Sequence, residues 1–283
     1  MIHTTLISAE ELARAIDRCV VVDCRHDLMD AAAGRRAYDD GHLPGARFLS
    51  VDDDLSGRPT GRNGRHPLPD RESFRVRLAQ LGVSDDTQLV AYDAQGGQFA
   101  GRAWWLARWI GHLAVAVLDG GIDAWRQAGY PVVRQAPAAP RPGRLTDRPP
   151  RVQAVDARAV ARNLSSGDWL VVDARAAERY AGRTEPLDPV AGHIPGAVNR
   201  PFAQNLRPDG RFKPAAVLRA EYDALLAGRP AERIVHQCGS GISALHNLIA
   251  MEHAGLEGSM LYPGSWSEWC ADPARPVATG PQS

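Results

Sequence analysis

The chain runs through one order of landmarks twice, and no other feature limits its fold as strongly. Val21-Val22-Asp23-Cys24-Arg25 returns as Val171-Val172-Asp173-Ala174-Arg175, and Gly41-His42-Leu43-Pro44-Gly45-Ala46 returns as Gly192-His193-Ile194-Pro195-Gly196-Ala197. Leu89-Val90-Ala91-Tyr92-Asp93 stands opposite Ile234-Val235-His236-Gln237-Cys238. Gly120-Gly121-Ile122-Asp123-Ala124-Trp125 stands opposite Gly264-Ser265-Trp266-Ser267-Glu268-Trp269, with one residue of slack. The order survives across a separation of about 150 residues, which identifies a duplicated domain. A chain of 283 residues has room for two such cores. Between the copies, Pro137, Pro140, Pro142, Pro149 and Pro150 make a semi-extended linker. The expected organisation is therefore one domain over 1–133, a linker over 134–150 and a second domain over 151–283.

Within each copy short apolar strands alternate with helical patterns. Ser8-Ala9-Glu10-Glu11 is a capping-box sequence ahead of a helix through Leu12 and Ile16. Strands are expected at Cys19 to Asp23, Gln88 to Tyr92 and Ala114 to Leu118. Helices are expected over Arg71 to Leu81, Gln98 to Ile110 and Ile122 to Ala128. The second copy adds a helix over Pro214 to Ala227, the strand running into Cys238 and a helix after it. Such alternation predicts an α/β fold, two tandem domains that each hold a mainly parallel sheet flanked by helices.

The stretch with the most chemistry is Ile234 to Ala244. A buried-strand pattern stops at Cys238, small residues follow, and then Leu245, Leu248, Ile249 and Met251 recur at helical spacing. A cysteine in such a strand-to-helix turn faces unpaired backbone N–H groups and the positive end of a helix dipole. Both favour the thiolate, the nucleophilic form. A free cysteine is ordinarily just a small buried apolar residue. Gly239-Ser240-Gly241 directly after it argues for reactivity here. Sites in sheets of this type form beyond the carboxyl ends of strands, where Cys238 falls.

Basic and acidic residues balance at 33 each, so no net field points to nucleic acid or a membrane surface as partner. No apolar run approaches the ~20 residues of a spanning helix. The start, Met1-Ile2-His3-Thr4-Thr5, lacks the basic-then-apolar order of a secretion signal. Cys19, Cys24, Cys238 and Cys270 have the spacing of neither a disulfide framework nor a zinc site. A cytoplasmic protein is expected. Cys24 and Cys270 read as structural, and Cys19, opening a strand, as buried.

Taken together, the two Gly-His-(Leu/Ile)-Pro-Gly-Ala segments, the Asp-x-Arg strand ends, the cysteine loop and the Gly-Ser-Trp-Ser-Glu-Trp ending resemble the tandem rhodanese family of sulfurtransferases. The resemblance covers essentially the whole chain. In that family the first domain has usually lost its cysteine, and here Asp93 occupies the matching position. Thiosulfate sulfurtransferases tend to carry basic residues after the cysteine, whereas the 3-mercaptopyruvate type carries Cys-Gly-Ser-Gly. Cys238-Gly239-Ser240-Gly241-Ile242-Ser243-Ala244 is uncharged and looks like the second type.

The resemblance implies sulfur transfer through a Cys238 persulfide from a small-molecule donor, with no metal or organic cofactor. A thiol such as thioredoxin or glutathione, or cyanide, would accept the sulfur. The loop from Gly239 through Gly241, Ile242 and Ser243 to Ala244 would hold the anionic persulfide on its N–H groups. Arg179 matches the family's arginine that grips the substrate carboxylate, and a guanidinium suits that task because it binds bidentately. The family's second arginine has no counterpart in Glu185-Pro186-Leu187-Asp188-Pro189, so Arg183 is the expected substitute. A relay of Ser240, His66 and Asp52 is also implied, moving the proton between the donor thiol and the leaving enolate. His42 and His193 occur in both copies, only one of which has the cysteine, so they read as structural.

Two rival readings remain. Cys-loop phosphatases share a rhodanese-like fold but place an arginine six positions after the cysteine, where this chain has Ala244. A non-catalytic module that binds a partner or only carries sulfur would not need an intact Cys238 loop beside the altered Asp93 copy. Thiosulfate as donor is the close alternative.

Overall fold

The computed structural model describes residues 2–281; Met1, Gln282 and Ser283, which the expected domain limits include, lie outside the described residues. The chain forms two compact units. The first takes the chain up to Gly57, Leu68–Arg151 and Arg207–Phe212, and the second takes Arg58–Pro67, Val152–Leu206 and Lys213 onward.

The first unit is built on five parallel strands, β1 (Leu6–Ile7), β2 (Cys19–Asp23), β3 (Arg47–Phe48), β4 (Gln88–Tyr92) and β5 (Val115–Leu118), in the order β1-β5-β4-β2-β3. Its helices are α1 (Ala9–Ala15), α2 (Ala33–Asp40), α3 (Arg71–Gln80), α4 (Ala100–Trp109) and α5 (Gly121–Gln127). The expected capping box holds: Ser8 Oγ accepts the Glu11 N–H, and the Glu11 carboxylate accepts the Ser8 N–H. Both faces of β4 are buried, consistent with its unbroken apolar run.

The second unit repeats this plan with β6 (Gln153–Ala154), β7 (Leu170–Asp173), β8 (Val198–Asn199), β9 (Ile234–Gln237) and β10 (Met260–Leu261), all parallel, in the order β6-β10-β9-β7-β8. Its helices are α6 (Ala157–Ser166), α7 (Ala177–Tyr180), α8 (Ala215–Leu226), α9 (Ala244–His253) and α10 (Ser265–Trp269). Trp104, Trp105 and Trp125 in the first unit and Trp266 and Trp269 in the second are buried. Each large side chain taken from water in this way contributes roughly 1.5–3 kcal/mol.

The repeated motifs turn out to be one structural joint built twice. The Arg25 guanidinium donates to the Asp23 carboxylate at 2.5 Å and to the Gly41 carbonyl at 2.7 Å. In the second unit Arg175 donates to Asp173 at 2.7 Å and to the Gly192 carbonyl at 2.7 Å. The following histidines stack on tyrosines, His42 on Tyr38 at 4.0 Å and His193 on Tyr180 at 3.8 Å between centroids. Each histidine Nδ1 lies 2.8 Å from that tyrosine's carbonyl oxygen. Each joint therefore locks the segment after a strand end. Cys24 and Cys270 are buried, whereas Cys19, expected to be buried, is only half-buried at the start of its strand.

Candidate active site

In the first unit the end of β4 carries Asp93, and its carboxylate fills the turn. Oδ1 accepts the N–H groups of Gln95 and Gly97, and Oδ2 those of Phe99 and Ala100, at 2.7–2.9 Å. Burial pushes the Asp93 carboxyl up, against the pull of those four donors. The turn is thus an anion cradle occupied by the chain's own side chain. Phe212 packs beside it, within 3.5 Å of where a Cβ on Gly97 would stand.

In the second unit the equivalent turn follows β9 and carries Cys238, 1% exposed. The Gly241 N–H donates to the Cys238 sulfur at 3.2 Å. Gly241 has φ +77°, and a Cβ there would lie 2.3 Å from the Pro263 carbonyl oxygen, so this position admits only glycine. The Gly264-Ser265-Trp266-Ser267 motif holds the loop from the other side. Ser265 Oγ accepts the Cys238 N–H at 3.1 Å, while the Trp266 and Ser267 N–H groups donate to the carbonyls of Cys238 and Gly239. Ser265 takes a left-handed φ of +54°, rare for a residue with a side chain, and its hydroxyl in turn donates to the Tyr262 carbonyl. No side chain from Gly239 to Ala244 is charged. Ile242 and Ala244 are buried, and Ser243 is half-buried.

His66 and Ser240 come together: His66 Nδ1 lies 2.7 Å from Ser240 Oγ, and both residues are buried. Asp52 belongs to the first unit, where its carboxylate lies 4.0 Å from His26 Nδ1 and is 41% exposed.

Arg179 is placed by α7 and lies beside the loop; a Cβ on Gly239 would stand 3.4 Å from its Nη1. Arg183 does not join it. The helix ends at Tyr180, Gly182 turns the chain at φ +76°, and Arg183 pairs with Glu178 in an exposed ion pair. The expectation that Arg183 supplies the second guanidinium is corrected on that ground. A different arginine, Arg65, lies at the loop instead, its Nη2 2.9 Å from the same Cβ position on Gly239. Its backbone N–H donates to Ser267 Oγ at 3.1 Å, and its guanidinium pairs with Asp188.

These charges form a chain of alternating sign. Asp173 pairs with Arg175, Arg175 with Glu185 at 3.3 Å, and Glu185 with Arg179 at 2.7 Å. Arg179 then pairs with Asp188 at 3.3 Å, and Asp188 with Arg65. Burial opposes the charge on Arg175, but Asp173, Glu185 and the nearby Cys238 together raise its pKa. Burial pushes the Asp188 carboxyl up, and Arg65 and Arg179 pull the other way. Arg65, Glu185, Asp188, Ser265 and Ser267 were not singled out by sequence. The repetition of the Gly-Ser-Trp-Ser segment opposite Gly-Gly-Ile-Asp was the one signal pointing at Ser265 and Ser267.

The arrangement brings together a buried cysteine sulfur that accepts the Gly241 N–H, a hydroxyl–imidazole pair and two guanidiniums near Gly239. Comparison with known proteins agrees with that description. The Rhodanese-like domain model matches residues 8–128 and again 156–272. A relative from Pseudomonas aeruginosa named probable 3-mercaptopyruvate sulfurtransferase is 44% identical, over 99% of this chain and 100% of its own length. A putative thiosulfate sulfurtransferase of Mycobacterium tuberculosis is 39% identical, over 97% of each chain. The crystal structure of the 3-mercaptopyruvate sulfotransferase SseA from Escherichia coli superposes with a TM-score of 0.77 at 29% identity, covering 93% of this chain and 99% of that one. With the domain model matched twice and relatives of this identity spanning its length, the chain belongs to the rhodanese family.

Proposed function

We propose that this chain is a 3-mercaptopyruvate sulfurtransferase. The Cys238 thiolate attacks the donor sulfur, the carbon–sulfur bond breaks, and its electron pair leaves as the enolate of pyruvate. The donor's thiol hydrogen, carried on the new persulfide, is released through Ser240 and His66, and the enolate carbon takes up one proton to give pyruvate. Asp52 is the third member of that relay in this reading. The persulfide then rests on the N–H groups of Gly239 to Ala244, as the Asp93 carboxylate rests on its own turn in the first unit. Attack on the outer sulfur by a thiolate or cyanide completes the cycle. Arg179 holds the donor carboxylate.

The uncharged loop carries this reading, because a dianion such as thiosulfate would gain more from basic residues placed there. The likeness to a relative named thiosulfate sulfurtransferase supports that donor as a second reading. Among the described residues no helix is long and apolar enough to cross a membrane, and all four cysteines are free. In this reading the chain works in a reducing cytoplasm, where cysteines stay thiols, and a thiol such as thioredoxin or glutathione accepts the sulfur. The test is steady-state sulfur transfer to cyanide from 3-mercaptopyruvate and from thiosulfate, for wild type and Cys238→Ser. A kcat/KM preference for mercaptopyruvate that vanishes in the variant supports the proposal. A preference for thiosulfate overturns the donor assignment, and no turnover of either overturns the enzyme.

A further inference from the structure

Two guanidiniums at the cysteine loop keep nitrogens without a hydrogen-bond partner among the described residues, one on Arg179 and two on Arg65. Arg179 spends Nε and Nη2 on Glu185 and Asp188, and Arg65 spends Nη1 on Asp188. Of the nitrogens left over, Arg179 Nη1 and Arg65 Nη2 are the ones nearest Gly239, at 3.4 and 2.9 Å from a Cβ built there. Asp188 is 4% exposed in its side chain and is shared by both arginines. The local charges of Arg65, Arg175 and Arg179 are matched one for one by Asp173, Glu185 and Asp188.

We infer that Arg65 and Arg179 form a two-guanidinium clamp for the donor carboxylate, and that Asp188 sets its charge so that a monoanionic keto-acid donor is preferred to a dianion. The inference rests on the mercaptopyruvate reading above. Asp188 does two things at once: it aligns both forks on one carboxylate, and it cancels one of their charges. A cation pair balanced in this way still offers directed N–H donors to a carboxylate. It offers less net attraction to thiosulfate, whose second charge would otherwise double the Coulomb gain.

The test combines kinetics with a readout independent of turnover. For wild type, Arg65→Gln, Arg65→Lys and Asp188→Asn, kcat and KM are measured with both donors. The rate of Cys238 alkylation is measured in parallel with iodoacetate and iodoacetamide, equal in shape and different in charge. Arg65→Gln should raise KM for 3-mercaptopyruvate about tenfold with a small change in kcat, and lower the iodoacetate-to-iodoacetamide rate ratio about tenfold. Arg65→Lys, which keeps the charge and loses the fork, should restore the alkylation ratio and only part of KM. Asp188→Asn should shift the kcat/KM ratio toward thiosulfate about tenfold.

Arg65 is one-third exposed, so its replacement leaves the core untouched, and that variant alone can decide the matter if Asp188→Asn fails to fold. KM and the alkylation ratio within twofold of wild type in Arg65→Gln would overturn the clamp. An unchanged donor ratio in folded Asp188→Asn would overturn the role of Asp188. Wild type that alkylates with the expected charge preference yet takes no sulfur from 3-mercaptopyruvate would overturn the proposed function and leave the anion clamp standing.

Discussion

Replacing Gly241 with alanine should disable the cysteine loop while leaving the protein folded. Gly241 sits at φ +77°, which costs an L-residue about 1–2 kcal/mol. More important is the space: the new Cβ would start 2.3 Å from the Pro263 carbonyl oxygen, against roughly 3.4 Å for an ordinary contact. The loop and the Pro263 segment must therefore separate by about 1 Å. That movement pulls the Gly241 N–H from the Cys238 sulfur and strains the bonds from Ser265, Trp266 and Ser267 to Cys238 and Gly239. A misplacement of about 1 Å at a nucleophile costs on the order of 100-fold in rate. The assay is kcat/KM for sulfur transfer to cyanide, with urea unfolding measured alongside. Gly129→Ala is the control, because Gly129 has φ +80° and nothing within 4 Å of its Cβ position. It should lose about 1 kcal/mol of stability and no activity. Gly241→Ala with activity within about threefold of wild type would refute the loop as the seat of catalysis.

Other outcomes follow from the same geometry. Asp93→Ala should destabilise the chain by about 3 kcal/mol or more, since three buried N–H groups and one partly buried one lose their acceptor; Asp93→Asn, which keeps one oxygen, should lose less, as urea midpoints will show. Ser240→Ala and His66→Ala should each lower kcat about tenfold or more, and the double variant should be no worse than either single one, because the two act as a pair across 2.7 Å; additive losses in a double-mutant cycle would contradict this. Burial lowers the His236 pKa from 6.5 to about 3, so the folded state binds fewer protons than the unfolded state in that window. Stability from this group is complete above pH 6.5 and is lost as pH falls toward 3, a loss of roughly 3 kcal/mol by pH 4.5. Urea unfolding of His236→Asn at pH 7 and 4.5 should show an acid loss smaller by roughly that amount.

Much of the fold was legible because the duplicated landmarks carry backbone geometry. The Asp-x-Arg and Gly-His-Leu/Ile-Pro motifs recur because each arginine ties a strand end to a glycine carbonyl. Short strands such as Arg47–Phe48 and Val198–Asn199 were not legible, since two residues show no period. Helical periodicity placed a helix from Gln98, but α4 begins at Ala100 because the Asp93 carboxylate captures the N–H groups of Phe99 and Ala100. At the site, Cys238 announced itself through its glycines. Arg65 did not, because nothing local distinguishes it in an arginine-rich chain; its role comes from Ser267 and Asp188, both more than 100 positions away. Glu185 and Asp188 registered only as a place where an arginine was lacking. Arg183 is close to the site in sequence, but the chain turns at Gly182 and Arg183 pairs with Glu178 in the open.

In the proposed cycle the donor sulfur must reach Cys238. Intact-mass and peptide mass spectrometry after brief exposure to 3-mercaptopyruvate, without acceptor, should find one added sulfur atom on the Cys238 peptide and one pyruvate released per chain. Cyanide should remove that sulfur, and Cys238→Ser should never acquire it. Sulfur found instead on Cys19, Cys24 or Cys270, or pyruvate released with Cys238 unmodified, would contradict the persulfide mechanism.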